Sequence, residues 1–158
     1  MSTEIEIDGL DEIQRKIAQL PPELHKAMGN AMDKSLMTLW ENVPPYPAQV
    51  VPPEVYRRTG DLGGSIGSSP AGGKSGAKPT VYGVTQSLAG RQYEGKFGTN
   101  LSYAKYVIDP KRQAYMHRPG YKGRAGWWTM DTIKKNAEGK IKRLWQTTIS
   151  LIKSKLGL

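Results

Sequence analysis

The chain has 158 residues, the length of one domain that can bury its own core, and 37% of them are hydrophobic. Cysteine is absent, which excludes a disulfide framework, a thiol nucleophile and a cysteine-ligated metal. Its 23 basic residues outnumber 14 acidic ones, and the resulting net charge of +9 favours acidic partners without specifying their kind.

The first twenty residues predict a short strand followed by a helix. Acidic and apolar side chains alternate over residues 4–7, as in a strand, and Asp8 can cap the helix that follows. The apolar side chains of this helix repeat at helical spacing: Leu10, Ile13, Ile17 and Leu20. Because this stretch is acidic and differs from a signal peptide, we expect synthesis in the cytoplasm. No apolar run in the sequence approaches the roughly 20 residues that span a bilayer.

A second helix is predicted from Pro22, because a proline at the first helical position gives up no hydrogen bond. One face would carry small and apolar side chains: Leu24, Ala27, Met28, Ala31, Ser35, Leu36, Leu39 and Trp40. The opposite face would carry polar ones: Glu23, Lys26, Asn30 and Lys34. We interpret the apolar face as core, with a contact between subunits as the alternative.

Two irregular stretches follow within the single predicted domain of residues 1–158. Five prolines fall in residues 43–53 and predict a stiff, extended connection. A run of Gly, Ser and Lys over about residues 67–79 predicts a flexible loop. Between them, Thr59 is expected to cap a short turn over residues 61–66, with Gly60 allowing the bend.

The second half of the chain predicts three strands and a long helix. Residues 80–85 and 91–99 are the first two strands, and residues 113–117 are the third. The helix is expected from about Thr129 to Leu156, where one face is apolar and lysines crowd the other. Gly139 weakens its interior by about 1 kcal/mol relative to Ala, so a bend or a break there stays open.

Sequence motifs for catalysis are weak. The run Gly72–Ser75 resembles a phosphate-binding loop, but Ser68 stands where the motif needs its first glycine. His25 and His117 lie far apart, and the carboxylates are scattered, so neither a catalytic triad nor a metal site is predicted. Aromatic and basic residues interleave over residues 103–128, which suits base stacking with phosphate contact or, alternatively, the two faces of a sheet.

Four stretches, taken in order, carry a resemblance to a known family. Residues 7–13, Ile-Asp-Gly-Leu-Asp-Glu-Ile, open the pattern. Residues 56–66 are similar to an Arg-Thr-Gly-x-Leu-x-x-Ser-Ile signature, and residues 103–107 match a Tyr-Ala-x-Tyr-Val element. Residues 113–129 look like one branch of the same family. The ordered set resembles the tail-completion, or neck, proteins of siphophages, which join the head to the tail.

This resemblance implies an α+β subunit, with a small antiparallel β-sheet flanked by long N-terminal and C-terminal helices. It implies a non-enzymatic virion protein without cofactor or metal, which forms a homo-oligomeric ring at the head–tail junction. The expected partners are connector or head-closure proteins and tail terminator or tube proteins. The residues expected at interfaces are Arg57, Arg58, Thr59, Leu62, Tyr103, Tyr106, Trp127 and Trp128. The alternative function is a basic nucleic-acid-binding module, and contact with packaged DNA stays open.

Overall fold

The protein is a small α+β fold, as the sequence predicted. The structure is a computed structural model that describes residues 21–45, 47, 60–68, 79–86, 93–123 and 126–157. Its α-helices are α1 (Pro22–Glu41), α2 (Asp61–Ser65) and α3 (Met130–Leu156). Its strands are β1 (Val81–Gln86) and β2 (Tyr93–Gly98), which form a two-stranded antiparallel sheet. Three single turns of 3-10 helix lie between β2 and α3: Ala104–Tyr106, Tyr115–His117 and Tyr121–Gly123.

Helix α1 lies at the centre of the core, and the predicted apolar face is the buried one. Six side chains of that face are buried: Leu24, Met28, Ala31, Ser35, Leu36 and Leu39. The predicted polar face is exposed at all four of its residues: Glu23, Lys26, Asn30 and Lys34. The interpretation of the apolar face as core is therefore confirmed.

Helix α3 packs against α1 in the antiparallel sense. Trp145 Nε1 donates a hydrogen bond of 3.0 Å to Ser35 Oγ, and Lys140 Nζ lies 3.5 Å from Asn42 Oδ1. Residue numbers therefore rise along α3 as they fall along α1. As a consequence, the amino-terminal end of α1 lies beside the carboxyl-terminal end of α3.

The buried face of α3 repeats every three or four residues over the whole helix: Met130, Ile133, Ala137, Ile141, Trp145, Ile149 and Ile152. The helix continues through Gly139 without a break, although the sequence had left one open. Gly157 ends it in a left-handed conformation, with φ +70°, which a glycine adopts without a steric cost. No helix within the described ranges is long and apolar enough to cross a membrane.

The sheet packs on α1 through one face. Tyr82 pairs with Phe97 and Val84 pairs with Gly95, so these four residues share a face. The rings of Trp40 and Tyr82 meet edge to face, with centroids 6.3 Å apart. Helix α1 therefore contacts the sheet as well as α3, and the described core depends on it.

The predicted third strand over residues 113–117 is wrong. Residues 115–117 form a 3-10 turn, because the Ala114 N–H donates to the Tyr106 carbonyl 2.8 Å away and the segment closes on its own chain. The side chain of Gln113 points into the core and bonds backbone carbonyls, so these residues do not alternate between two faces.

Other predictions fall partly or wholly outside the described residues. The strand and helix expected over residues 4–20 lie outside, as does Thr59. Gly60, and not the expected Thr59, occupies the N-cap position of α2, which has no side-chain cap bond; its φ of +89° agrees with the bend expected there. Residues 69–78 of the predicted flexible loop also lie outside. At its two ends, Ser68 and Pro79 are buried, and Ser68 Oγ donates to the Pro44 carbonyl 2.8 Å away.

Gly139→Ala is expected to stabilise the protein by about 1 kcal/mol. A Cβ at this exposed helical position would meet no atom within 4 Å, and alanine has the higher helix propensity. The matched control is Gly157→Ala in the same helix, where the positive φ makes a Cβ cost about 1–2 kcal/mol. Urea unfolding of the two variants measures both changes, and a destabilised Gly139→Ala would contradict a regular helix through this position.

Candidate functional site

Exposed aromatic and apolar side chains are concentrated on the segment between β2 and α3. Among the described residues, six large hydrophobic side chains are exposed, and four of them belong to this segment: Tyr103 (42%), Tyr106 (52%), Tyr115 (70%) and Met116 (61%). We define the loop surface as these four residues with Tyr121 and three cations: Lys105, Arg118 and Lys122. Exposed apolar patches of this kind mark contact sites in otherwise polar surfaces.

The loop surface is held by apolar residues of the same segment that point inward. Ala104, Val107 and Ile108, in and directly after the first 3-10 turn, are buried, so this part of the segment sends one side into the core. Asp109 Oδ1 accepts the backbone N–H of Lys111 at 2.8 Å and that of Arg112 at 3.3 Å, which fixes the next turn.

Gln113 is the polar anchor of the segment. Its side chain is buried, and Nε2 donates to the Val107 carbonyl at 2.7 Å and to the Trp127 carbonyl at 2.9 Å. The Met130 N–H in turn donates to the Ile108 carbonyl at 2.9 Å. These bonds connect the loop surface to the amino-terminal end of α3.

Gly126 lies against the peptide bond between Arg118 and Pro119. A Cβ at this position would stand 2.2 Å from the Arg118 carbonyl carbon and 2.3 Å from Pro119 N, a distance that real Cβ atoms do not adopt. The Trp127 N–H also donates to the His117 carbonyl at 2.8 Å. Close backbone packing therefore fixes the second half of the loop surface.

Aromatic rings on the loop surface contact each other and lie near ammonium groups. The rings of Tyr115 and Tyr121 meet edge to face with centroids 5.0 Å apart. Lys105 Nζ lies 5.0 Å from the ring centroid of Tyr106, and Lys122 Nζ lies 5.7 Å from that of Tyr121, both within cation–π range. Residues 101–123 contain five basic residues and one acidic residue, so the surface is positive.

The predicted interface residues separate into four groups. Arg57, Arg58 and Thr59 lie outside the described residues. Leu62 and Trp127 are buried, with 4% and 2% of their surface exposed, so they pack in the core. Tyr103 and Tyr106 lie on the loop surface. Trp128 is half-buried, and its Nε1 donates to the Pro45 carbonyl at 3.0 Å, which connects it to the proline-rich stretch.

Sequence reasoning did not single out Tyr115, Met116 and Tyr121 as interface residues. The signal was the interleaving of aromatic and basic residues, but a strand over residues 113–117 would have buried alternate side chains. Because the segment forms a 3-10 turn, both Tyr115 and Met116 are exposed.

Titratable groups with shifted pKa values lie away from the loop surface. Burial, and then the carboxylates of Asp33 and Glu41, raise the pKa of Tyr82 on the sheet. A hydrogen bond from Lys142 lowers the pKa of the exposed Glu138 on α3. The described part of the chain contains no group of three or more His, Asp or Glu side chains that could hold a metal ion.

Comparison of the chain with protein-family models, with curated proteins and with solved structures finds no match. The loop surface and the sequence motifs therefore bear on function.

Gln113→Met is expected to destabilise the protein by about 1–3 kcal/mol, because it leaves the buried carbonyls of Val107 and Trp127 without this donor. The matched control is Gln146→Met at an exposed position of α3, where a change within about 0.5 kcal/mol is expected. Thermal unfolding followed by circular dichroism measures both. Equal stability of the two variants would show that Gln113 does not anchor the segment.

Proposed function

We propose that this chain is a structural virion protein of a tailed bacteriophage, a tail-completion subunit that forms a ring at the head–tail junction. It works by self-assembly and docking, with no reaction catalysed. The observation that carries the proposal is the loop surface, where tyrosines and a methionine are exposed on a segment fixed to the core. The kind of assembly, a ring at the head–tail junction, is inferred from the four sequence stretches that resemble tail-completion proteins.

The composition of the loop surface supports a docking function. Tyr, Met and Arg are enriched in the buried centre of protein interfaces, and a few aromatic side chains often carry most of the binding energy. The segment is already ordered by Gln113 and Ile108, so little conformational entropy is lost when a partner binds. The composition and the order of the segment therefore favour a preorganised binding surface.

Several of the motif residues that carry the resemblance are buried in the core. Leu62 and Ile66 of the motif at residues 56–66 are buried, and Ser65 Oγ lies 2.7 Å from Thr99 Oγ1 after β2. Ala104 and Val107 of the motif at residues 103–107 are buried under the loop surface. We therefore assign the buried motif residues to the fold, and the exposed ones, Tyr103 and Tyr106 among them, to contacts with partners.

The proposed partners follow from the same resemblance. Connector or head-closure proteins would lie on one side of the ring, and tail terminator or tube proteins on the other. The protein would be made in the host cytoplasm and end in the virion neck. Each copy would contact its neighbours through heterologous surfaces, because a rotationally closed ring requires two different faces on every subunit.

A nucleic-acid-binding module is the second candidate, favoured by the two lysines that stand over tyrosine rings. Lys105 with Tyr106, and Lys122 with Tyr121, would let bases stack on the rings while ammonium groups contact phosphates. Such binding loses affinity steeply as salt rises. Strong, salt-dependent binding of DNA by a monomer would favour this candidate over the first.

The double variant Tyr115→Ala/Met116→Ala is expected to weaken self-association or docking by about 10- to 100-fold, because it removes two exposed side chains from the interface centre. Its thermal stability should stay close to that of the wild type, since neither side chain is buried. Analytical ultracentrifugation over a concentration series measures association.

Met37→Ala on α1 is the matched control, because Met37 is exposed to a similar degree and lies outside the loop surface. We expect this variant to associate as the wild type does. A wild-type protein that remains monomeric at every concentration, alone and with connector or tube proteins, would contradict the proposed function.

A further inference from the structure

Charge is strongly separated along this chain. Residues 1–12 contain five acidic residues and no basic one: Glu4, Glu6, Asp8, Asp11 and Glu12. Residues 101–158 contain 13 basic residues and three acidic ones. We propose that the acidic segment 4–12 of one copy binds the loop surface of the next copy, which joins the ring head to tail. This inference rests on the proposed ring assembly and names the contact that builds it.

The two surfaces are complementary in charge and in apolar character. Segment 4–12 begins with Glu, Ile, Glu, Ile and Asp in succession, so carboxylates and branched apolar side chains occur together. The loop surface offers Lys105, Arg118 and Lys122 for the carboxylates. It also offers the exposed side chains of Tyr115 and Met116 for the isoleucines. Complementary charges at an interface raise the association rate and select the partner.

The antiparallel helices separate the two ends of each copy. Helix α1 begins beside the carboxyl-terminal end of α3, while the loop surface is bonded to the amino-terminal end of α3 through Ile108 and Met130. Helix α1 has 20 residues, which correspond to a length of about 30 Å. The point where the first twenty residues join the described core therefore lies about one helix length from the loop surface.

This separation disfavours a contact within one copy. The helix that the sequence predicts over residues 8–20 would cover about 20 Å. Even if it lay along α1 towards the loop surface, Asp11 and Glu12 would stop well short. Only residues 4–7, as an extended strand with a rise of about 3.3 Å per residue, would come within reach of the loop surface of the same copy. A neighbouring copy can present its loop surface to the whole segment without this constraint.

The basic face of α3 is the competing site for the acidic segment. It carries Lys135, Lys142 and Arg143, and it lies within reach of the same copy. Lys142 forms an ion pair of 3.0 Å with Glu138, so this face already carries a carboxylate of its own. Exposed tyrosines are absent from the described α3, so this face has no aromatic centre to exclude water from the ion pairs. The loop surface is therefore the better match.

Charge reversal and mixing test this contact in the full-length protein. The first variant carries three reversals in the acidic segment: Glu4→Lys, Glu6→Lys and Asp8→Lys. The second carries three on the loop surface: Lys105→Glu, Arg118→Glu and Lys122→Glu. At about 0.15 M salt, we expect each variant alone to associate at least about tenfold more weakly than the wild type. An equimolar mixture should recover association, because each acidic surface then meets a basic one on the other variant.

Recovery on mixing distinguishes a contact between copies from one within a copy, since only the former is restored by a second molecule. The matched control is the triple variant Lys135→Glu, Lys142→Glu and Arg143→Glu on α3, which should associate as the wild type does. Circular dichroism verifies that each variant folds. If the loop reversal does not fold, Lys105→Gln/Lys122→Gln takes its place, with weaker association expected.

Four outcomes would overturn the proposal. Wild-type association in both reversed variants would show that the copies join through another surface, and the proposed ring would still stand. Loss of association in the α3 variant alone would place the acidic segment on α3. Loss of duplex DNA binding by the loop reversal, with self-association unchanged, would assign the loop surface to nucleic acid. A wild-type protein that never associates would sink both this inference and the proposed function.

Discussion

Helix α1 has to bury one apolar face against two different neighbours, and the rest of the described structure depends on that burial. Ser35 of this face accepts the indole N–H of Trp145 from α3, while Trp40 meets Tyr82 from the sheet. A buried hydroxyl and a buried indole that satisfy each other cost less than either would alone. The antiparallel arrangement of α1 and α3 follows, and it places the loop surface and the start of α1 at opposite ends of the molecule.

The segment between β2 and α3 turns this core into a surface for contact. Its inward residues pack below it, and Gln113 supplies donors to backbone carbonyls that no regular strand or helix satisfies. The outward side chains of Tyr106, Tyr115 and Met116 remain largely exposed, so a partner can contact them. Because Tyr115 and Met116 are the most exposed of these, they carry the functional proposal.

The helices were predictable from the sequence because their apolar side chains repeat with the period of a helix over many residues. Pro22 and Thr129 also mark the beginnings of α1 and α3 by local rules that tertiary contacts did not override. The two strands predicted over residues 80–85 and 91–99 lie within about two residues of the observed β1 and β2, and Gly139 proved compatible with a continuous helix. Long-range packing of α3 outweighed the low helix propensity of a single glycine.

The loop surface could be predicted only in part. Tyr103 and Tyr106 were identified from a motif, but the same reasoning chose Leu62 and Trp127, which are core residues. An aromatic side chain in an irregular segment has no period that tells which way it points. Which way a side chain of such a segment points is set by contacts with residues distant in the sequence. Gln113 donates to the Trp127 carbonyl, for example, and Gly126 packs against the backbone of Arg118.

The central claim is that copies of this chain assemble into a closed ring. Native mass spectrometry of the purified full-length protein tests it most directly. The account predicts one dominant species whose mass is a whole multiple of 17.5 kDa and which dissociates as salt rises. A monomer at every protein concentration, with no larger species at low salt, would contradict the account.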